Sequence, residues 1–360
     1  MMEIKNASRV ISGGPSILLD SLRILAALVV LFIHILDRWF IVLSHPEYEP
    51  GELSHAAVVV FFVLSGFVIA HTTISKNRGG RQYAQARLSR LFSMVVPSLV
   101  ITALIQIAVT ILDPNLMRDY SRGPDWIRYI ASGLFINEIW LFSAAPPINE
   151  PLWSLSFEFW YYVIFGLWFF RSRSRFSYIL PIIALLIAGP KILLMMPIWL
   201  AGYAAYILPR PSVNKHTAWW LVSILFFVAF LALRHIPSFP YIIGYKPLYF
   251  ANQFVTDWII GMLVAAALWM LPTTQQQSTE SKSVKMMRKA ADLTFPLYIL
   301  HFPLMVLWRA IFGYKAEDAL QMWEVILSVL LASTLLGLLL EKQRPFWSRL
   351  FKRLLRVEAS

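Results

Sequence analysis

The sequence predicts an all-α polytopic membrane protein with about ten transmembrane helices, both termini in the cytoplasm and no soluble domain. Three observations carry that expectation. Of the 360 residues, 58% are hydrophobic and only 14% charged, and the mean hydropathy is +0.62, too apolar for a soluble core and too regular for a disordered chain. Apolar runs of about 20 residues, the length that crosses a bilayer's hydrocarbon core, recur along the chain. The net charge of +12 is spread between those runs rather than gathered on one soluble face, which reads as the positive-inside bias and not as a nucleic-acid surface. There is no cysteine, so disulfides, thiolate zinc sites and a cysteine nucleophile are excluded.

An N-terminal arm, residues 1–16, carries Lys5 and Arg9. No small-residue cleavage site follows the first apolar run, which is therefore expected to stay as an uncleaved first helix. Spans are expected near residues 17–37, 55–74, 91–112, 152–170, 177–189, 192–208, 217–234, 249–271, 293–311 and 322–341. The fifth is short for a crossing, and residues 126–143, with Arg128 and Glu138, compete with it. Charge decides between them, because a crossing at 126–143 would put the Arg-Ser-Arg-Ser-Arg run at 171–175 outside. With 126–143 re-entrant or interfacial, 23 of the 32 lysines and arginines fall on one side, which sets that side as cytoplasmic. The membrane domain is then 17–341 and the basic cytoplasmic tail 342–360, with a polar loop at 275–283 and no internal repeat.

The first span, LLDSLRILAALVVLFIHIL at 18–36, holds Arg23 and His34 eleven residues apart. That spacing is close to three turns, so both share one helix face about 16 Å apart along the axis. Asp20 precedes Arg23 by three residues and Asp37 follows His34 by three, spacings at which side chains meet. Ionisable groups inside a membrane are costly and mark pathways or sites, which favours a functional His34 over a helix-contact histidine. With the N-terminus inside, Arg23 lies at the cytoplasmic mouth and His34 in the outer half.

Arg78, Arg81, Arg87 and Arg90 form the next unusual cluster, with Arg87 and Arg90 one turn apart at the start of the third span. They read either as a positive-inside loop or as a pair that grips phosphate through charge-assisted hydrogen bonds. In the fourth span Glu158 lies seven residues past Pro151, about 10 Å deep and therefore expected in the same half as His34. Phe159, Trp160, Tyr161 and Tyr162 follow it. A carboxylate beside an imidazole suits general base catalysis near neutral pH, while the plainer reading is a polar contact between helices. His301, between Pro296 and Pro303, is expected in the inner half as a packing or substrate-channel residue. Asp257, in the eighth span, is ionisable and without an assigned role. His71 is expected at the interface, and His45, His55, His216 and His235 in loops. No carboxylate and histidine cluster has metal-ligand spacing.

Taken together these residues resemble the bacterial family-3 membrane acyltransferases, which acylate sugars of the cell envelope. The resemblance covers nearly the whole chain. It rests on Asp20, Arg23 and His34 (Arg-x10-His), FFVLSGFVIA at 61–70, Arg87-x-x-Arg90, Trp153-x-Leu155-x-x-Glu158 with Tyr161 and Tyr162, and TFPLYILH at 294–301. The family's ending, a glutamate followed directly by a basic residue and proline, is stretched here to Glu341-Lys342-Gln343-Arg344-Pro345. The resemblance implies a cytoplasmic acyl-CoA donor, acetyl-CoA first, with its phosphates against Arg23, Arg87 and Arg90. It implies His34 as general base on a carbohydrate hydroxyl, with Glu158 or Asp37 stabilising the imidazolium. Trp153, Tyr161 and His301 would line the substrate channel, the acceptor would be a polysaccharide, oligosaccharide or glycolipid, and the setting would be the lipid bilayer of the bacterial inner membrane, without a metal. Many members carry an extracellular esterase-like domain, and this chain is expected to be a stand-alone form. The rival class, a transporter or flippase of a glycan or lipid-linked sugar, would also place ionisable groups mid-membrane, but paired half-repeats are its usual mark.

The distribution of basic residues predicts that a reporter fused after Ser360 is cytoplasmic and that a label at Glu47 reacts from outside. An externally accessible C-terminus would overturn the ten-span arrangement.

Overall fold

A computed structural model describes residues 11–39, 50–75, 79–172, 174–273 and 282–357; His45, Glu47 and Arg78 lie outside them. Thirteen α-helices and no strand occur among the described residues: α1 Gly14–Trp39, α2 Pro50–Ser75, α3 Gly80–Leu112, α4 Pro114–Tyr120, α5 Asp125–Gly133, α6 Trp153–Phe169, α7 Ile179–Ile207, α8 Lys215–His235, α9 Phe254–Met270, α10 Lys282–Asp292, α11 Thr294–Phe312, α12 Ala319–Lys342 and α13 Arg344–Leu354. Seven helical runs are long and apolar enough to cross a membrane, and α9 is a shorter apolar helix. The expected spans at 177–189 and 192–208 are the two arms of one helical run, α7, interrupted at Gly189. Residues 126–143 form no span: α5 ends at Gly133 and irregular chain follows.

The helices are inside-out by the standards of a water-soluble fold. On α3, Val100, Leu104, Ile107 and Ile111 are exposed, and on α12 Leu320, Trp323, Leu327, Leu331 and Leu335 are exposed. Such stripes, three or four residues apart, would be buried in water. Here they are the surface a bilayer requires.

The chain forms two compact units. The first comprises Met1–Val29, Glu52–Arg78 and Leu193–Asp292. In it α2 and α7 approach to backbone contact. A Cβ on Gly66 would stand 2.0 Å from the Trp199 carbonyl oxygen, and one on Gly202 2.0 Å from that of Val63. Only glycine at both positions permits this crossing. Two residues read differently from sequence meet in this unit. His55, expected in a loop, lies on α2 and is buried, with Nε2 2.9 Å from Asp257 Oδ2. The other Asp257 oxygen accepts from Gln253 Nε2 at 2.9 Å. This carboxylate, in the first turn of α9, is thus held by two donors, as burial of a charge demands.

The second unit comprises Val30–Gly51, Gly79–Ile192 and Leu293–Ser360. Its least regular part, residues 134–150, is fixed by polar contacts. The Phe135 carbonyl accepts from Ser156 Oγ at 2.7 Å and Trp160 Nε1 at 3.0 Å. Trp140 N–H donates to the Ala188 carbonyl at 3.1 Å, and Gly189, at φ 76°, comes so close that a Cβ there would lie 2.8 Å from the Trp140 backbone. Next to this interruption the fully buried Lys191 ammonium contacts Glu138 and the Phe142 carbonyl, while Ser143 Oγ donates to Glu138 at 3.0 Å. One ion pair therefore pins the expected re-entrant segment to α7.

Removing one partner of a buried pair leaves the other charge uncompensated. Lys191→Met is expected to cost about 3–5 kcal/mol, and the double variant Lys191→Met/Glu138→Leu distinctly less than the sum of the singles. Thermal denaturation in detergent, followed by tryptophan fluorescence, measures both. Additive losses would show that the two side chains are not coupled.

Candidate functional site

α11 carries the centre of the second unit's polar interior. Pro303 lies inside this helix and cannot donate to the carbonyl four residues back. That carbonyl, Ile299 O, is taken by Asn149 Nδ2 at 3.0 Å, and the same amide donates to Thr102 Oγ1 at 3.0 Å. Two residues beyond Ile299, His301 is 1% exposed. Its Nδ1 lies 2.8 Å from the Tyr298 carbonyl oxygen and 3.2 Å from that of Leu297. The Tyr298 hydroxyl donates to the Pro151 carbonyl at 3.0 Å and lies 2.8 Å from Ser154 Oγ, which ties α11 to the start of α6.

His34 meets this arrangement directly. Its Nδ1 is 2.8 Å from His301 Nε2. The ring centroids are 5.1 Å apart at an interplanar angle of 11°, and because the nitrogens are far closer than the centroids, the imidazoles lie side by side in nearly one plane. Phe302 stands edge-on to His34 at 5.7 Å, and the Arg38 guanidinium lies over Phe302 at 5.8 Å.

The hydrogen-bond order fixes the protons. Carbonyl oxygens only accept, so His301 Nδ1 carries the proton. The neutral His301 ring then offers a lone pair at Nε2, to which His34 Nδ1–H donates. His34 Nε2 is left as the basic nitrogen, the tautomer being set by the bond its other nitrogen makes.

A second constellation in the same unit surrounds Arg87. Its guanidinium lies over the Tyr162 ring at 5.9 Å. The Tyr162 hydroxyl donates to Glu158, and the Tyr83 hydroxyl donates to the Tyr162 carbonyl at 3.1 Å. Arg87 lines a cavity of about 440 Å³ whose other walls include Tyr83, Phe159, Gly166 and Phe170. Arg90 lies over Phe295 at 5.8 Å. Both arginines are inside α3 rather than in a loop before it.

Residues 17–356 match the acyltransferase domain family. The chain belongs to that family. It is also 32% identical over 165 residues to acyltransferase MdmB of Streptomyces mycarofaciens, an alignment covering 43% of this chain and 40% of that protein. The chain thus spans under half the length of this relative. No solved structure matches. Family and relative together support an acyl-transferring enzyme.

Within this acyltransferase domain the residues singled out from sequence fall into distinct places. His34 and His301 are in contact and so share one depth, where the sequence reading set them in opposite halves. Glu158 is bonded to Tyr162, and the group at His34 Nδ1 is an imidazole. Asp37 is exposed near the end of α1. Trp153 and Tyr161 are buried on α6, Trp153 edge-on to Phe157 at 5.2 Å and Tyr161 at 6.4 Å. Arg23 belongs to the first unit, in an ion pair with Asp20 at 3.8 Å. Among the described residues no three His, Asp or Glu side chains are grouped to hold a metal ion. Sequence reasoning missed the imidazole pair because depth was counted from helix ends. For His301 the count began at Leu293, whereas the candidate span that holds it runs Val284–Phe312, so the count began too late. The available signal was Pro303, which marks a carbonyl in need of an outside donor.

The hydrogen-bond order predicts that neutral His34 is the Nδ1–H tautomer. In ¹⁵N spectra of histidine-labelled protein one unprotonated Nε2 resonance should vanish in His34→Ala and move in His301→Phe. An Nε2–H tautomer for His34 would refute the proton assignment.

Proposed function

We propose that this protein is a membrane O-acyltransferase that moves an acyl group, acetyl in the first instance, from cytoplasmic acyl-CoA to a hydroxyl of an envelope or exported carbohydrate. The observation that carries the reading is the His34–His301 hydrogen bond, which leaves His34 Nε2 unprotonated in the neutral ring. Such a nitrogen is what a general base needs. Family membership supports the acyl transfer itself, and the name of the relative agrees with it.

In the proposed reaction His34 Nε2 takes the proton of the acceptor hydroxyl as its oxygen attacks the thioester carbonyl. The tetrahedral intermediate collapses, the carbon–sulfur bond breaks, and the leaving thiolate takes the proton back from His34. While His34 is cationic its Nδ1–H still donates to neutral His301, which spreads the charge without a second proton transfer. Glu158 or Asp37 would supply the compensating negative charge. Arg23, Arg87 and Arg90 would hold the donor's phosphates, since paired guanidinium groups match phosphate oxygens. Trp153 and Tyr161 would line the channel. The same proposal takes the ten-span arrangement, with both termini cytoplasmic, in a bacterial inner membrane, so that donor and acceptor approach from opposite faces.

Purified protein should transfer or hydrolyse labelled acetyl-CoA, and an inert thioester would sink the proposal. Loss of a positioned general base typically costs about 10²–10⁴ in rate. His34→Ala is expected to lose activity to that extent while still binding acyl-CoA, and near-normal transfer by a folded variant would remove His34 from the mechanism.

Arg87→Ala and Arg90→Ala are each expected to weaken donor binding by about 1.5–3 kcal/mol, the range for hydrogen bonds to charged groups. The loss should appear in donor affinity more than in turnover. Unchanged affinity in both would return these arginines to a role in topology alone.

A further inference from the structure

The helix that follows the last long span has a face the acyl-transfer reading leaves unused. α13 begins directly after α12, with only Gln343 between them, and Pro345 occupies its first turn. One side packs on α3. Gln85 Nε2 donates to the Ser348 carbonyl at 3.1 Å, and the Phe92 ring meets Trp347 at 6.0 Å and Phe351 at 5.2 Å. Arg81 donates to the Arg356 carbonyl at 3.3 Å. Arg87 and Arg90, by contrast, lie against Tyr162 and Phe295, so α13 sits on a different face of α3 from them.

Beside its packed side α13 carries a second apolar stripe. Phe346, Leu350 and Leu354 recur every four residues and so share one face. Phe346 is 55% exposed and Leu354 65%. Arg349 and Arg353, three residues after Phe346 and Leu350, border this stripe and are exposed, as is Lys352 farther round. An apolar stripe edged by cations is the pattern of a helix lying in a lipid interface, with side chains in the acyl boundary and cations at the headgroups. The candidate span Ala319–Leu354 takes in both α12 and α13, and the 24 residues of α12 already exceed the roughly 20 that cross a bilayer, so α13 starts where a bilayer surface must be.

We propose that α13 is an interfacial helix that inserts Phe346, Leu350 and Leu354 into the leaflet beside the end of α12 and binds anionic lipid headgroups through Arg349 and Arg353. This stands apart from the acyl-transfer reading, and either can fail without the other.

The absence of cysteine gives a clean test. Leu354→Cys and Lys352→Cys each place one nitroxide label on full-length protein in lipid nanodiscs. With phosphatidylglycerol present, the label at 354 should collide more with oxygen than with a water-soluble nickel chelate, and the label at 352 the reverse. At about 1 kcal/mol per basic residue near an anionic surface, adding Arg349→Gln and Arg353→Gln should lower the ratio of inserted to aqueous label at 354 about thirtyfold. Replacing phosphatidylglycerol by phosphatidylcholine should lower it similarly. A label at 354 open to the nickel chelate would overturn insertion, and one shielded from both reagents would point to a protein contact instead. Insertion unaffected by lipid charge or by the glutamine pair would overturn the headgroup role.

Discussion

A bilayer offers no water to a polar group, so each donor or acceptor inside it must find a protein partner or carry a cost of several kcal/mol. The arrangement of both units follows from that constraint. Lys191 is matched to Glu138, Asp257 to His55 and Gln253, and the carbonyl freed by Pro303 to Asn149. None of these pairings adds much net stability against a well-packed apolar alternative. Their effect is to choose one packing among many, since a shifted helix would strand a charge in hydrocarbon.

The imidazole pair shows the same constraint setting the positions of protons. A lone buried histidine is free in tautomer and ring orientation, and both freedoms degrade a base. Anchoring His301 to two carbonyls of its own helix removes them one ring at a time, because each hydrogen bond dictates the next proton's position. The order runs from backbone to His301 to His34 and ends at a nitrogen with no proton, so a helix backbone specifies which ring nitrogen is left free of one.

What could be read from the sequence was whatever is local. The 20-residue apolar runs, the three-turn register of Arg23 and His34, and the turn from Arg87 to Arg90 are periodicities of a single helix, and the helices are found where those patterns lie. What could not be read was pairing across the chain. His34 and His301 are 267 residues apart, His55 and Asp257 202, and Glu138 and Lys191 53, and no periodicity links such positions. Nothing in the sequence singled out Lys191. The boundary between the expected spans at 177–189 and 192–208 was legible, but the backbone contact of Gly189 with Trp140 was not.

α3 has 33 residues, about 50 Å at 1.5 Å per residue, against a hydrocarbon thickness of about 30 Å. Its lipid-facing stripe begins only at Val100, whereas its opening turns, GRQYAQARLSR, are rich in polar side chains. The surplus length therefore belongs to the arginine-bearing end. A polyanion recognised there can keep its hydration shell and its charge clear of the oily layer, and only a thin uncharged portion of such a molecule needs to penetrate farther. For the donor proposed above, the dielectric barrier that would repel a nucleotide would then not be met by its phosphates.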